Sequence, residues 1–224
     1  MSRKILFIAP HPDDETLGCG GTILRHQECG DRLYWLIVTQ MSKRSIWPSE
    51  VVEKRANEIK KVASIYEFEK TVELGLDSTS LDAIPMSRIV ESISSVVNDI
   101  KPDTIFVNAP FDIHTDHQIV FQATMSSVKN FRCKSVQEVL LYETLSETEY
   151  CPPLGVNGFQ PNTFVDITPW LAQKTSIMSL YETEVMSPPG PRSDDVIAAL
   201  ARYRGSRISV DFAEAFMSIF RIYR

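Results

Sequence analysis

Apolar and polar positions along this chain follow two alternating rhythms. Short continuous apolar runs stand at residues 4–9 (KILFIA), 32–39 (RLYWLIVT), 70–76 (KTVELGL), 104–109 (TIFVNA) and 138–143 (EVLLYE). Each has the length and β-branched or aromatic content of a strand buried on both faces. Between them the apolar positions recur at helical spacing. Residues 48–68 predict a long helix with Pro48 at its start and Val51, Val52, Ile59, Val62 and Ala63 on one side. Residues 85–100 predict a helix stopped by Lys101-Pro102, and residues 115–130 predict another. A short helix is expected over 21–30, ending at Gly30. A Pro- and Gly-rich loop is expected over 146–161, then a strand at 163–167 and a helix from Pro169 to Glu184. A proline-rich break (SPPGP, 187–191), a helix over 193–204 and a closing strand complete the chain.

Strand followed by helix followed by strand predicts right-handed βαβ units, hence an α/β fold with a doubly wound, mostly parallel sheet covered by helices on both faces. The 224 residues suit one domain. Residues 1–145 would form the core, and 146–224 a small C-terminal extension of loops, helices and the closing strand. If the strand order is 3-2-1-4-5, topology places a ligand beyond the carboxyl ends of strands 1 and 4. The segments leaving those strands are PHPDDETLGCGG and NAPFDIHTDH. Both polar clusters fall at the expected crevice, though about a hundred residues separate them.

Charge and composition narrow the functional classes. The net charge is −6 and no Lys/Arg run exceeds two residues, which argues against nucleic acid as a partner. No apolar run approaches bilayer-spanning length, so no membrane partner is expected. Four cysteines, Cys19, Cys29, Cys133 and Cys151, show no CxxC spacing, so a reduced, cytoplasmic protein is expected. Homo-oligomerisation is left open.

The two clusters carry the candidate chemistry. His11 and Asp14 lie three apart after the first strand, with Asp13 between strand and Asp14 and Pro12 biasing His11 toward extended backbone. His114 and His117 lie three apart at the start of a helix, with Asp116 between them. A histidine, a carboxylate and a second histidine from a separate segment make a three-ligand metal set with room for water. Gly18, Gly20 and Gly21 do not match a dinucleotide fingerprint, and the preceding acids oppose a pyrophosphate. They are read as backbone that lets a helix lie close to the sheet.

"APHPDDETLGCGGTI" followed by "PFDIHTDH" resembles the LmbE-like/PIG-L family of zinc-dependent N-deacetylases, whose signature is a PHPDDE box near the start and an HxDH box in mid-chain. Looser similarity touches Arg55, the LGLD turn with Asp77, and ARYRG…FAEAF. The resemblance implies a Rossmann-like fold and removal of the acetyl group from an N-acetylglucosamine-type small molecule. It implies zinc held by His11, Asp14 and His117, with Asp13 as general base. His114 would stabilise the oxyanion or protonate the leaving amine, and Asp116 would orient His114. Arg55 and Asp77 would contact substrate. The residue chemistry agrees: bound zinc lowers the pKa of water from ~15.7 to roughly 7. A carboxylate beside His114 would favour its charged form, which suits a developing oxyanion.

Other readings stand beside this one. Histidine and aspartate donors also suit Fe2+ or Co2+. His11, Asp13 and His117 would satisfy a non-haem iron oxygenase triad, although such enzymes commonly use all-β scaffolds. A non-catalytic sugar-binding relative is a third reading. Glu15 is either a ligand or a supporting acid, Asp112 a support for the HTDH segment, and Arg202, Arg204 and Arg207 a surface cluster or an anion contact. His26 is read as structural, and Cys19 is given no role.

Overall fold

The structure is a computed structural model and describes residues 2–41, 47–152 and 158–223. Seven strands form one sheet: β1 (Lys4–Ala9), β2 (Arg32–Gln40), β3 (Lys70–Asp77), β4 (Thr104–Asn108), β5 (Glu138–Tyr142), β6 (Thr163–Asp166) and β7 (Ala213–Arg221). Their order is β3-β2-β1-β4-β5-β7-β6. The first five are parallel. β7 runs antiparallel to β5 and β6 antiparallel to β7. The C-terminal extension therefore continues the core sheet.

Six helices flank the sheet: α1 (Asp14–Glu28), α2 (Ser49–Ile65), α3 (Met86–Ile100), α4 (Thr115–Ser127), α5 (Leu171–Met178) and α6 (Asp194–Ser206). Side-chain alternation along the strands makes two cores. Ile5, Phe7, Trp35, Ile37, Phe106 and Tyr142 face α1, α2 and α5. Leu6, Ile8, Leu36, Val38, Ile105 and Val107 face α3 and α4. Strand β1 is buried on both faces, as a central strand should be. The edge strand β3 is only half-buried, and its apolar run is covered less completely than the pattern implied.

Three boundaries differ from the sequence pattern. Helix α1 begins at Asp14, seven residues before the expected start, so DETLGCGG is helix and not loop. The glycines serve contact and not turning. A Cβ on Gly18 would overlap the Tyr142 ring of β5, and one on Gly21 would stand 2.6 Å from Ile167 Cβ. The close approach outweighs the poor helix propensity of glycine. The expected helix over 169–184 is a 3-10 turn (Thr168–Trp170) and α5, which stops at Met178. A 3-10 turn at Leu81–Ala83 was not foreseen. Of the loop expected over 146–161, residues 153–157 lie outside the described residues.

Side chains enter the backbone ladder of α1. Glu214 of β7 accepts the N–H groups of Gly21 (2.9 Å) and Thr22 (2.8 Å), while Lys174 of α5 donates to the Leu17 carbonyl (2.8 Å). In an undisturbed helix Gly21 N–H and Leu17 C=O would pair with each other. The buried Lys174–Glu214 ion pair, at 2.6 Å, joins the two.

Candidate metal and catalytic site

The site lies beyond the carboxyl ends of β1 and β4. His11 leaves β1, Asp14 opens α1, His114 caps α4, and Asp116 and His117 lie in the first turn of α4. These elements bring together residues more than a hundred positions apart. His11 Nδ1 is 3.2 Å from His117 Nε2 and 3.4 Å from Asp14 Oδ2, and His117 Nε2 is 3.2 Å from Asp14 Oδ2. Three donor atoms thus form a nearly equilateral triangle. Around a tetrahedral ion with bonds of about 2.0–2.1 Å, donors stand about 3.3–3.4 Å apart.

The outer nitrogens of both rings support the same orientation. His11 Nε2 faces Asp116 Oδ2 at 3.1 Å, and His117 Nδ1 faces Asp112 Oδ2 at 2.8 Å. When neutral, each ring donates its outer N–H to a carboxylate, and its inner nitrogen presents a lone pair. Two imidazole lone pairs and a carboxylate oxygen then point at one spot, a donor set suited to a divalent cation. Asp112 is itself held by Thr148, whose hydroxyl donates to Oδ1 at 2.6 Å. A second group of converging donors, His11, His114 and Asp116, shares His11. Its Asp116 oxygens already accept from Thr79 N–H (2.7 Å) and Leu81 N–H (3.3 Å), which leaves the first group the better fit.

Without a cation the triangle attracts protons. Burial opposes charge on His11, but Asp116 and Asp14 outweigh it and raise the pKa to about 9. Burial likewise opposes charge on His117, and Asp14 and Asp112 raise it to about 10. Burial would raise Asp14, yet the two histidines hold it well below the carboxylate range.

Asp116 does not orient His114 as the motif suggested. Its carboxylate holds His11, and its only bond to His114 is from its backbone N–H to Nδ1, at 3.1 Å. In the metal-free site the electrostatics of His114 run against the charged form. Burial, with the neighbouring His11 and His117, lowers its pKa to about 4. Because Nδ1 accepts, the neutral ring carries its proton on Nε2, so His114 is a neutral N–H donor at the cavity wall.

Asp13 has a positive φ of 135°, a strained conformation for a residue with a side chain. The strain is held by its neighbours. Its N–H donates to Glu15 Oε2 at 3.1 Å, and its carbonyl accepts from Thr16 and Leu17. Glu15 is buried and also accepts from the Tyr181 hydroxyl at 2.7 Å, so it supports the turn and does not ligate. Burial raises Glu15 to about 7. Burial also raises Asp13 to about 8, against the pull of Arg192.

A cavity of about 230 Å³ opens over these groups, lined by His11, Asp13 and His114 on its floor and by Trp47 and Arg192 among its walls. Arg55 also lines it, but its Nη donors are engaged: with the Pro12 carbonyl at 2.9 Å, Thr183 at 2.5 Å and Glu184. Asp77 ends β3 and is not among the described lining residues, although Ser78 is. Arg204 pairs with Glu143 and Arg202 with Asp211, and neither lines the cavity. His26 pairs with Asp31 away from the site. Sequence reasoning passed over Arg192, Glu147 and Glu184. They lie outside both boxes: Glu147 in the expected loop, Glu184 at the end of the expected helix and Arg192 directly after the proline-rich break.

The GlcNAc-PI de-N-acetylase family model, PIG-L, matches residues 6–128, just over half of the chain. The diacetylchitobiose deacetylase of Thermococcus kodakarensis is 24% identical over 234 residues, covering 95% of this chain and 81% of that protein. A solved structure of a conserved protein from Thermus thermophilus superposes with a TM-score of 0.78 at 24% identity, covering 99% of this chain and 97% of that one. The 4-carboxy-2-hydroxymuconate hydratase of Pseudomonas putida superposes with a TM-score of 0.75 at 16% identity, covering 99% and 98%. These superpositions establish the fold, and the fold hosts more than one chemistry.

Proposed function

The chain belongs to the PIG-L family (GlcNAc-PI de-N-acetylase), and we propose that it is a metal-dependent hydrolase that removes the N-acetyl, or another small N-acyl, group from an N-acetylglucosamine-type sugar or sugar conjugate. The observation that carries this reading is the triangle of His11 Nδ1, Asp14 Oδ2 and His117 Nε2, of which His11 lines the same cavity as Asp13 and His114. The similarity to a diacetylchitobiose deacetylase supports an amino-sugar substrate.

His11, Asp14 and His117 would hold the cation, by preference Zn2+, with Fe2+ and Co2+ compatible with the same donors. When bound, the cation supplies Lewis acidity for the amide carbonyl and for water. Asp13 takes the proton from water as oxygen bonds to the acyl carbon. Its Oδ1 accepts from no donor among the described residues, so it is open to that proton. The His114 Nε2–H donates to the oxygen that gains charge. Asp13 then returns the proton to the departing nitrogen as the C–N bond breaks, releasing carboxylate and free amine. Asp116 acts by fixing His11. Arg55 forms a wall of the sugar subsite, and a contact from Asp77 rests on its neighbour Ser78 lining the cavity.

The oxygenase reading needs Asp13 as a ligand, and Asp13 joins neither group of converging donors among the described residues. We treat residues 1–224 as one catalytic domain, since β7 continues the core sheet and Arg192 reaches the site. A cytoplasmic location is part of the proposal, supported by the free thiols of Cys19, Cys29 and Cys133. No helix among the described residues is long and apolar enough to cross a membrane. The test is acetate release from N-acetylglucosamine and N,N'-diacetylchitobiose, with and without a chelator. Chelator-sensitive acetate release is expected, and no release with any divalent metal, or release that ignores the chelator, overturns the reading.

A further inference from the structure

We propose that Arg192 is a positioning residue for Asp13, supplied by the C-terminal region to complete the site; this rests on the reading of Asp13 as the base. Arg192 Nη1 donates to Asp13 Oδ2 at 3.0 Å and to Glu184 Oε2 at 2.7 Å. Its Nε donates to Ser146 Oγ at 2.8 Å, and Nη2 stands 3.6 Å from Glu147 Oε1. The guanidinium is mostly buried and is clamped from three sides, so its planar fork has little freedom to turn.

The backbone of Asp13 is already fixed by Glu15, Thr16 and Leu17. What the backbone leaves open is rotation of the carboxylate about its last bond, a torsion with broad, roughly two-fold preference. Arg192 closes that freedom. It engages Oδ2 and leaves Oδ1 as the basic atom.

The clamp has a second arm. Glu184 bridges Arg192 and Arg55, and Arg55 holds the carbonyl of Pro12. One carboxylate therefore braces two successive residues of the HPDD turn, one through its main chain and the other through its side chain. Residues 184 and 192 lie beyond the 6–128 region that matches the family model. The proline-rich break (187–191), to which the sequence pattern gave no task, lies between them.

The test compares Arg192→Ala, Arg192→Lys, Asp13→Asn and the Asp13→Asn/Arg192→Ala double variant on a substrate that releases acetate with the wild type. Each is measured for kcat, KM, bound metal per chain and thermal melting. Arg192→Ala is expected to lower kcat roughly 10- to 100-fold, the scale of a misplaced catalytic group. KM and metal content should stay close to wild type, while melting falls because Asp13 and Glu184 lose their cationic partner. Free guanidinium at low millimolar concentration should restore part of kcat, and Arg192→Lys should fall between. In the Asp13→Asn background, removing Arg192 should cost nothing further. If Arg192→Ala turns over at the wild-type rate, loses only KM, or lowers the rate of Asp13→Asn by the same factor, Arg192 does not position Asp13. If Arg192→Ala does not fold, Arg192→Lys at the wild-type rate overturns the proposal in the same way. An Asp13→Asn protein near the wild-type rate instead removes Asp13 as base. Absence of acetate release from the wild type removes the deacetylase reading itself.

Discussion

Loading the metal-free protein with a divalent cation should expel protons, and the structure sets how many. In the metal-free site His11 has a pKa of about 9 and His117 of about 10, so at pH 7 both rings carry a second proton and are cationic. Both donate toward Asp14 Oδ2, which stands 3.4 and 3.2 Å from them. A cation needs the lone pairs at those same nitrogens, so about two protons leave with each ion bound. Asp13, with a pKa of about 8, is also largely protonated at pH 7 and adds up to one more as the cation arrives. For two linked protons, apparent affinity rises about 100-fold per pH unit, or about 2.7 kcal/mol, between pH 6 and 8. The sign also holds for stability. Histidine pKa values raised above about 6.5 stabilise the metal-free fold most fully below that pH. The contribution fades as pH rises through about 9 to 10. Calorimetric titration of Zn2+ at pH 7 in buffers of different ionisation enthalpy measures the count directly. The slope should give two to three protons, and Asp13→Asn should lower it by the share Asp13 contributes. A slope below one, or an affinity flat from pH 6 to 8, would refute the assignment of these three residues as the cation site.

Three further outcomes follow from other contacts. His114→Ala should keep the metal and lose about 10²- to 10³-fold in kcat, as for other oxyanion donors; metal loss would place His114 among the ligands. Gly18→Ala should destabilise by about 1–3 kcal/mol through overlap with Tyr142, lowering the melting temperature by about 2–12 °C. An unchanged melting curve would mean that α1 can move off the sheet. Glu214→Ala leaves Lys174 buried without its partner and should cost about 3–5 kcal/mol in denaturant unfolding, and a loss under 1 kcal/mol would show that water or another group replaces the carboxylate.

The core strands and the two histidine boxes were legible because their signals are local. Apolar runs report burial, and the β1–β4 crevice follows from chain order. The start of α1 was not legible, because three glycines in DETLGCGG argue against helix until Tyr142 and Ile167 are seen pressing on them. The partner of Asp116 was hidden for a related reason. Proximity in HTDH suggested His114, whereas the backbone at Thr79 and Leu81 turns the carboxylate toward His11. Arg192 had no local signal at all, being 179 residues from the carboxylate it holds.

The insertion of Glu214 and Lys174 into α1 gives the site a place in time. Asp14 rides on the first turn of a helix whose middle is fixed by β7 and α5, both of which follow the two histidine boxes in the chain. A nascent chain emerging from the ribosome displays both histidine boxes long before either anchor exists. Until α5 and β7 dock, the helix carrying Asp14 lacks the partners that set its position. Cation capture then waits on the docking of α5 and β7, and a nascent chain that stops short of them carries the full motif without the means to use it.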